Sequence, residues 1–153
     1  MSIASLIDRA QGAHEAALLR RGVTAAEIAD APDADRERLE RVRGSANERR
    51  VLAALHRAAL PNWIVGIRAG RTTEDRRGGD IAVLCDDGKR CWLQVKSSTA
   101  GAQKFIAEAR RRGRVGVIGI VVVPDRITDR QIVGRVLATL IEMRAQRAGE
   151  AGR

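Results

Sequence analysis

The stretch "DIAVLCDDGKRCWLQVKSS", residues 80–98, decides how the chain is read. Apolar residues alternate on both sides of a short acidic, glycine-ended break. That pattern predicts a β-hairpin with strands over 80–85 and 90–97. The loop length sets the register. A three-residue loop, Asp86-Asp87-Gly88 with Gly88 left-handed, pairs Cys85 with Lys89 and places Asp80 opposite Gln94. One face is then wholly apolar: Ile81, Val83, Cys85, Cys91, Leu93 and Val95. The other gathers Asp80, Gln94 and Lys96 near one end, with Leu84 and Trp92 further along. A two-residue loop would slip the pairing by one residue and mix polar with apolar side chains on both faces. The hydrophobic pattern selects the first register.

The polar row suggests a specific chemistry. Asp80 and the amide oxygen of Gln94 are hard oxygen donors of the kind Mg²⁺ or Mn²⁺ takes, together with water and phosphate oxygens. Lys96, two residues on, lies about 6–7 Å further along the same face, where an ammonium can steady an attacking water or a developing negative charge. Gly78 and Gly79, just before Asp80, allow a backbone or a phosphate to approach closely. Together these fit metal-assisted hydrolysis of a phosphodiester.

Working outward, residues 2–21 have the stripe of an amphipathic helix (Ile3, Leu6, Ile7, Ala10, Ala13, Ala17, Leu18), ended by Gly22. Thr24 to Glu27 has capping-box form and opens a short helix. A charged helix is expected from Asp33 to Arg43, and Gly44 marks a boundary. Ser45 opens the next helix, which runs to about Leu60 and is stopped by Pro61. Residues 62–69 read as a strand. After the hairpin comes a helix over 100–113, then the continuous apolar run "VGVIGIVVV", 115–123, which suits a strand covered on both faces. A last helix is expected over roughly 128–147. The domain division is an N-terminal helical extension, 1–43, followed by an α/β domain, 44–148.

The composition is consistent with this. At 153 residues, 44% hydrophobic and 31% charged, the chain can fold as a soluble globular domain. Its aromatic residues are Trp63, Trp92 and Phe105, so the core must be aliphatic. A net charge of +9, nearly all from Arg, favours a polyanionic partner. No apolar run reaches membrane-spanning length, and the N-terminus is too polar for a secretory signal. Cys85 and Cys91 have neither metal-ligand spacing nor a disulfide framework, so a cytoplasmic protein with reduced thiols is expected.

The segment "GGDIAVLCDDGKRCWLQVKSS" resembles the core motif of the PD-(D/E)XK nuclease superfamily: Asp on one strand, then Glu or Gln, any residue and Lys on the next. The expected order from residue 45, α-β-β-β-α-β, is similar to that superfamily's restriction endonuclease-like core, which the Holliday junction resolvases share. The resemblance covers about residues 44–125. It implies a mixed sheet flanked by helices and a metal-dependent DNA endonuclease or exonuclease, structure-selective for want of room for a specificity domain. Asp80 would be the metal-binding Asp, Gln94 the second ligand, Lys96 the catalytic Lys and Glu48 the acidic residue of the first helix. Gln94 departs from the commoner Glu, as in Mrr-like endonucleases, and removes one negative charge. A catalytically inactive nucleic-acid-binding or assembly module is the alternative the departure raises.

Several readings remain beside these. Ser45 to Glu48 also has capping-box form, which would give Glu48 a purely local role. Asp75 is a further carboxylate ahead of the strand, ranked below Asp80. Ser98, Gln103 and Lys104, on the polar strand end and the helix that follows, and Arg76, Arg77 and Arg111, in basic runs, are candidate nucleic-acid contacts; each is equally a solvated surface residue. His14 and His56 have no partner at ligand spacing. The N-terminal helices could pair two copies of the chain into a homodimer.

Overall fold

The computed structural model describes residues 2–71, 79–113 and 118–153. Asp75, Arg76, Arg77, Gly78 and Arg114 lie outside the described residues. The chain divides into two compact units, one ending at Asn47 and the other spanning Glu48–Arg153.

The first unit is helical. Helix α1, Ile3–Arg21, starts at Ser2, whose hydroxyl accepts from the Ser5 N–H, and ends at Gly22, which turns the chain at φ +81°. Helix α2, Ala25–Asp30, carries the expected capping box, with Thr24 and Glu27 each accepting the other's backbone N–H. The Arg21 guanidinium, 2.7 Å from the Glu27 carboxylate, adds to those bonds and pulls its pKa down to about 2. Leu18, Val23, Ile28 and Val42 form a small core, with Leu19 and Leu39 packed on it. The stripe expected along α1 is therefore buried at its C-terminal end; Ile3, Ala10, Ala13 and Ala17 are exposed.

Helix α3, Asp33–Arg57, corrects the helix break expected at Gly44. The two helices foreseen on either side of Gly44 are one. A mid-helix glycine costs only about 1 kcal/mol, and the charged and aliphatic residues flanking it propagate the helix through. Ser45 is consequently interior to α3, and no capping box forms there.

In the second unit, β1 (Ile64–Ala69), β2 (Ile81–Cys85), β3 (Arg90–Lys96) and β4 (Ile118–Val122) form one mixed sheet in the order β1-β2-β3-β4. The first two pairings are antiparallel, and β3 runs parallel to β4, which it reaches through α4, Thr99–Arg111. Helix α5, Asp129–Ala151, follows from a capping box of Thr128 and Gln131 and runs four residues beyond the expected end. The unit is thus α/β, a four-stranded mixed sheet flanked by helices.

Its core joins the apolar face of the hairpin to Val121 and Val123 near β4, to Val51, Ala54 and Leu55 of α3, and to Ile132, Val136 and Leu140 of α5. Gly119 lets α5 lie close on β4, since a Cβ there would sit 2.6 Å from Met143 and Thr139. The ends of α3 and α5 are tied by Arg57 and Asp129 at 2.7 Å, and Arg50 donates to the Ile127 carbonyl.

Candidate active site

The hairpin has the register derived from its pattern. Ile81 pairs with Leu93, Ala82 with Trp92, Val83 with Cys91 and Leu84 with Arg90. The turn closes with Cys85 N–H on the Lys89 carbonyl at 2.9 Å and Gly88 at φ +76°. Asp80 departs from this register. Its N–H donates to the Leu93 carbonyl at 2.9 Å, so Asp80 and Ile81 both face Leu93, as in a β-bulge. The pairing of β2 with β3 runs no further than Ile81 opposite Leu93, so Asp80 and Gln94 are not among its paired residues. The Asp80 Oδ2 turns to the neighbouring peptide and accepts from the Val95 N–H at 2.7 Å. The Asp80 carbonyl meanwhile accepts from Gly70 N–H at 2.7 Å, which ties β1 to the same point.

Asp80 and Gln94 are both buried, at 6% and 8% exposure. The Gln94 Oε1 is out of contact with solvent and, among the described residues, accepts no hydrogen bond. A buried acceptor left this way costs about 1–3 kcal/mol, so such groups are rare unless something else satisfies them. Lys96 is half-buried, with its Nζ 5.0 Å from the centroid of the Phe105 ring on α4. A cation over an aromatic face is held by the ring quadrupole, and α4 is itself fixed by Ser98, whose hydroxyl accepts from the Gly101 N–H at 3.1 Å. The bulge thus brings Asp80 against the Gln94–Lys96 segment of β3, and α4 holds the Lys96 ammonium.

Glu48 is half-buried on α3, one turn before Val51 and two before Leu55, the residues that enter the core. The structure gives it no capping role. Among the described residues, no three His, Cys, Asp or Glu side chains gather at metal-binding spacing.

The other candidates divide. Ser98 is the N-cap of α4, which accounts for its hydroxyl locally. Gln103 and Lys104 are exposed in the first half of α4, and Arg111 is exposed in its last turn. Arg76 and Arg77 fall outside the described residues. Gly79 has a clearer role than the one expected of it: a Cβ there would sit 2.7 Å from the Trp92 ring, so glycine is needed for the backbone to cross the indole.

Set against known proteins, the chain matches no family model, no curated protein and no solved structure. Among the described residues, no helix is long and apolar enough to cross a membrane.

Two features escaped the sequence reading. Cys85 and Cys91 meet across the hairpin, Sγ to Sγ 3.9 Å, and Arg147 donates to the Cys91 sulfur at 2.6 Å. Both cysteines were on the expected apolar face, but nothing local announces an arginine arriving from α5. Arg68, whose guanidinium lies 5.6 Å from the Trp92 ring centroid, was likewise not singled out.

Proposed function

We propose that this chain is a metal-dependent deoxyribonuclease of the PD-(D/E)XK type. The buried Gln94 Oε1, with no donor among the described residues, and the buried Asp80 carboxylate that accepts from the N–H of Val95, the residue after Gln94, carry the reading. An unsatisfied amide oxygen and a carboxylate are the hard donors a cation takes from a protein that leaves its remaining positions to water and phosphate. The order α3, β1, β2, β3, α4, β4 supports it as well, because it is the order the motif's resemblance implies.

In this reading Asp80 and Gln94, with Glu48, hold Mg²⁺ or Mn²⁺. The ion supplies Lewis acidity toward the phosphodiester and acidifies a water. Lys96, steadied by Phe105, orients the attacking water and offsets the charge that builds on phosphorus-bound oxygens. The chain's +9 charge draws the DNA in.

A second reading, a nucleic-acid-binding or assembly module without catalysis, is favoured by one observation. Among the described residues, the two strands offer a single formal negative charge at the site, Asp80, where a Glu at position 94 would give two.

The test is cleavage of linear, circular, single-stranded and branched DNA in Mg²⁺, Mn²⁺ or EDTA. Metal-dependent cleavage should fall at least about 100-fold in Asp80→Ala and in Lys96→Ala, the scale of losing one charge-stabilising group. Cleavage indifferent to both substitutions would sink the site. Binding without cleavage in any metal would establish the second reading.

A further inference from the structure

Beyond Gln94, the same sheet face continues toward the hairpin turn as a shallow groove of about 210 Å³, lined by Gly66, Ile67, Arg68, Ala82, Leu84 and Arg90. Its lining is apolar apart from two guanidinium-bearing residues, and it includes no acidic side chain. Leu84, in the middle of β2, is 36% exposed, although its neighbours Val83 and Cys85 are at 0% and 1%. Arg90 is exposed opposite it. Arg68 lies over Trp92, the next residue along the face toward Gln94.

We infer that this groove binds a single-stranded segment of nucleic acid, with an unpaired base against Leu84 and Ala82 and the flanking phosphates on Arg68 and Arg90. The two halves of the lining require different parts of one ligand. Arginines attract phosphate on any nucleic acid, but they leave an apolar floor unexplained. A duplex turns its base faces inward and would meet that floor with phosphate and sugar. An unstacked base has an apolar face to bury, and stacking or packing it on such a platform tolerates any sequence. The charge balance argues against a second copy of the chain here, because Arg68 and Arg90 would then face each other's like charge. This inference concerns binding and stands apart from whether Asp80 supports cleavage.

The experiment is fluorescence anisotropy in EDTA with a labelled oligothymidylate and a duplex of the same length. Wild-type chain is compared with Leu84→Ser and Arg90→Ala. Leu84 and Arg90 both reach solvent, so these substitutions spare the core. A Trp63→Phe background leaves Trp92 as the sole tryptophan and reports occupancy directly. The expected result is about tenfold weaker single-strand binding in Leu84→Ser and in Arg90→Ala, duplex binding unchanged in Leu84→Ser and weakened less than single-strand binding in Arg90→Ala, and quenching of Trp92 by the oligonucleotide. Binding is read in EDTA, where metal-dependent cleavage is silent, so a failure of the cleavage reading and a failure of this one are told apart. Single-strand affinity untouched by both groove substitutions would overturn the inference. So would an equal loss for single strand and duplex, which is a general charge effect, or sedimentation showing that Leu84→Ser instead breaks a dimer.

Discussion

On one face of the β2–β3 hairpin, Ile81, Val83, Cys85, Cys91, Leu93 and Val95 are all at most 6% exposed. On the other, Ala82 and Gln94 are buried, Trp92 and Lys96 are half-buried, and Leu84 and Arg90 reach solvent. The same two strands supply both rows. The first row is closed by two helices, α3 and α5, and each large side chain in it gains about 1.5–3 kcal/mol from burial. The second keeps a buried amide oxygen unsatisfied and an apolar residue uncovered. One face of the hairpin therefore holds the fold together, and the other leaves polar and apolar groups without partners among the described residues.

The sharpest way to break that contrast is to truncate adjacent residues of β3. Leu93→Ala should lose about 2–5 kcal/mol, as for other buried leucines cut back to alanine. Gln94→Leu, its neighbour, should leave urea stability unchanged or raise it by up to about 1–3 kcal/mol, because it removes an unsatisfied buried acceptor, while ending any metal-dependent cleavage. Chemical denaturation of both variants decides the matter. A Gln94→Leu chain as unstable as Leu93→Ala would show that the amide is structural and would weaken the case for a ligand.

Gly79→Ala should rank next. The new Cβ would meet the Trp92 ring at 2.7 Å, and overpacking of that kind costs about 1–3 kcal/mol. Because Trp92 borders the groove and Gly79 precedes Asp80, the shift should also change Trp92 fluorescence. Unaltered stability and emission would mean that the indole moves aside freely and that the second face is looser than described.

How far the sequence carried depends on which forces decide each element. Period-two alternation and a glycine needing positive φ determine the hairpin register locally, so Cys85 and Lys89 could be paired from the sequence. Asp80 could not be placed fully. A bulge is decided by where the chain goes next, and here the backbone turns away to meet Gly70. Gly44 misled for the opposite reason: it reads as punctuation, but the helix on both sides outweighs it. The unsatisfied state of Gln94 and the Lys96–Phe105 contact depend on the packing of α4 and the sheet, which no local pattern encodes.

The smallest expected effect lies on the closed face and tests how closed it is. Burial, then the neighbouring Cys85 thiol, push the Cys91 thiol up to about 11, while Arg147 opposes them only in part. Unfolded, the same thiol loses its proton near its ordinary value of 9.0. Below that pH both states keep the proton, and ionisation does not affect folding. As pH rises from about 9 toward 11, only the unfolded chain ionises, so stability falls across that window. Cys91→Ala should be less stable at neutral pH through the lost packing, yet its stability should decline less between pH 9 and 11. The difference between the two urea-stability profiles isolates the thiol from the lysines that titrate nearby. Parallel profiles would mean that the folded thiol ionises as readily as the unfolded one. Water or the Arg147 guanidinium would then be reaching Cys91 well enough to cancel its burial, and the contrast between the two faces would be smaller than their exposures indicate.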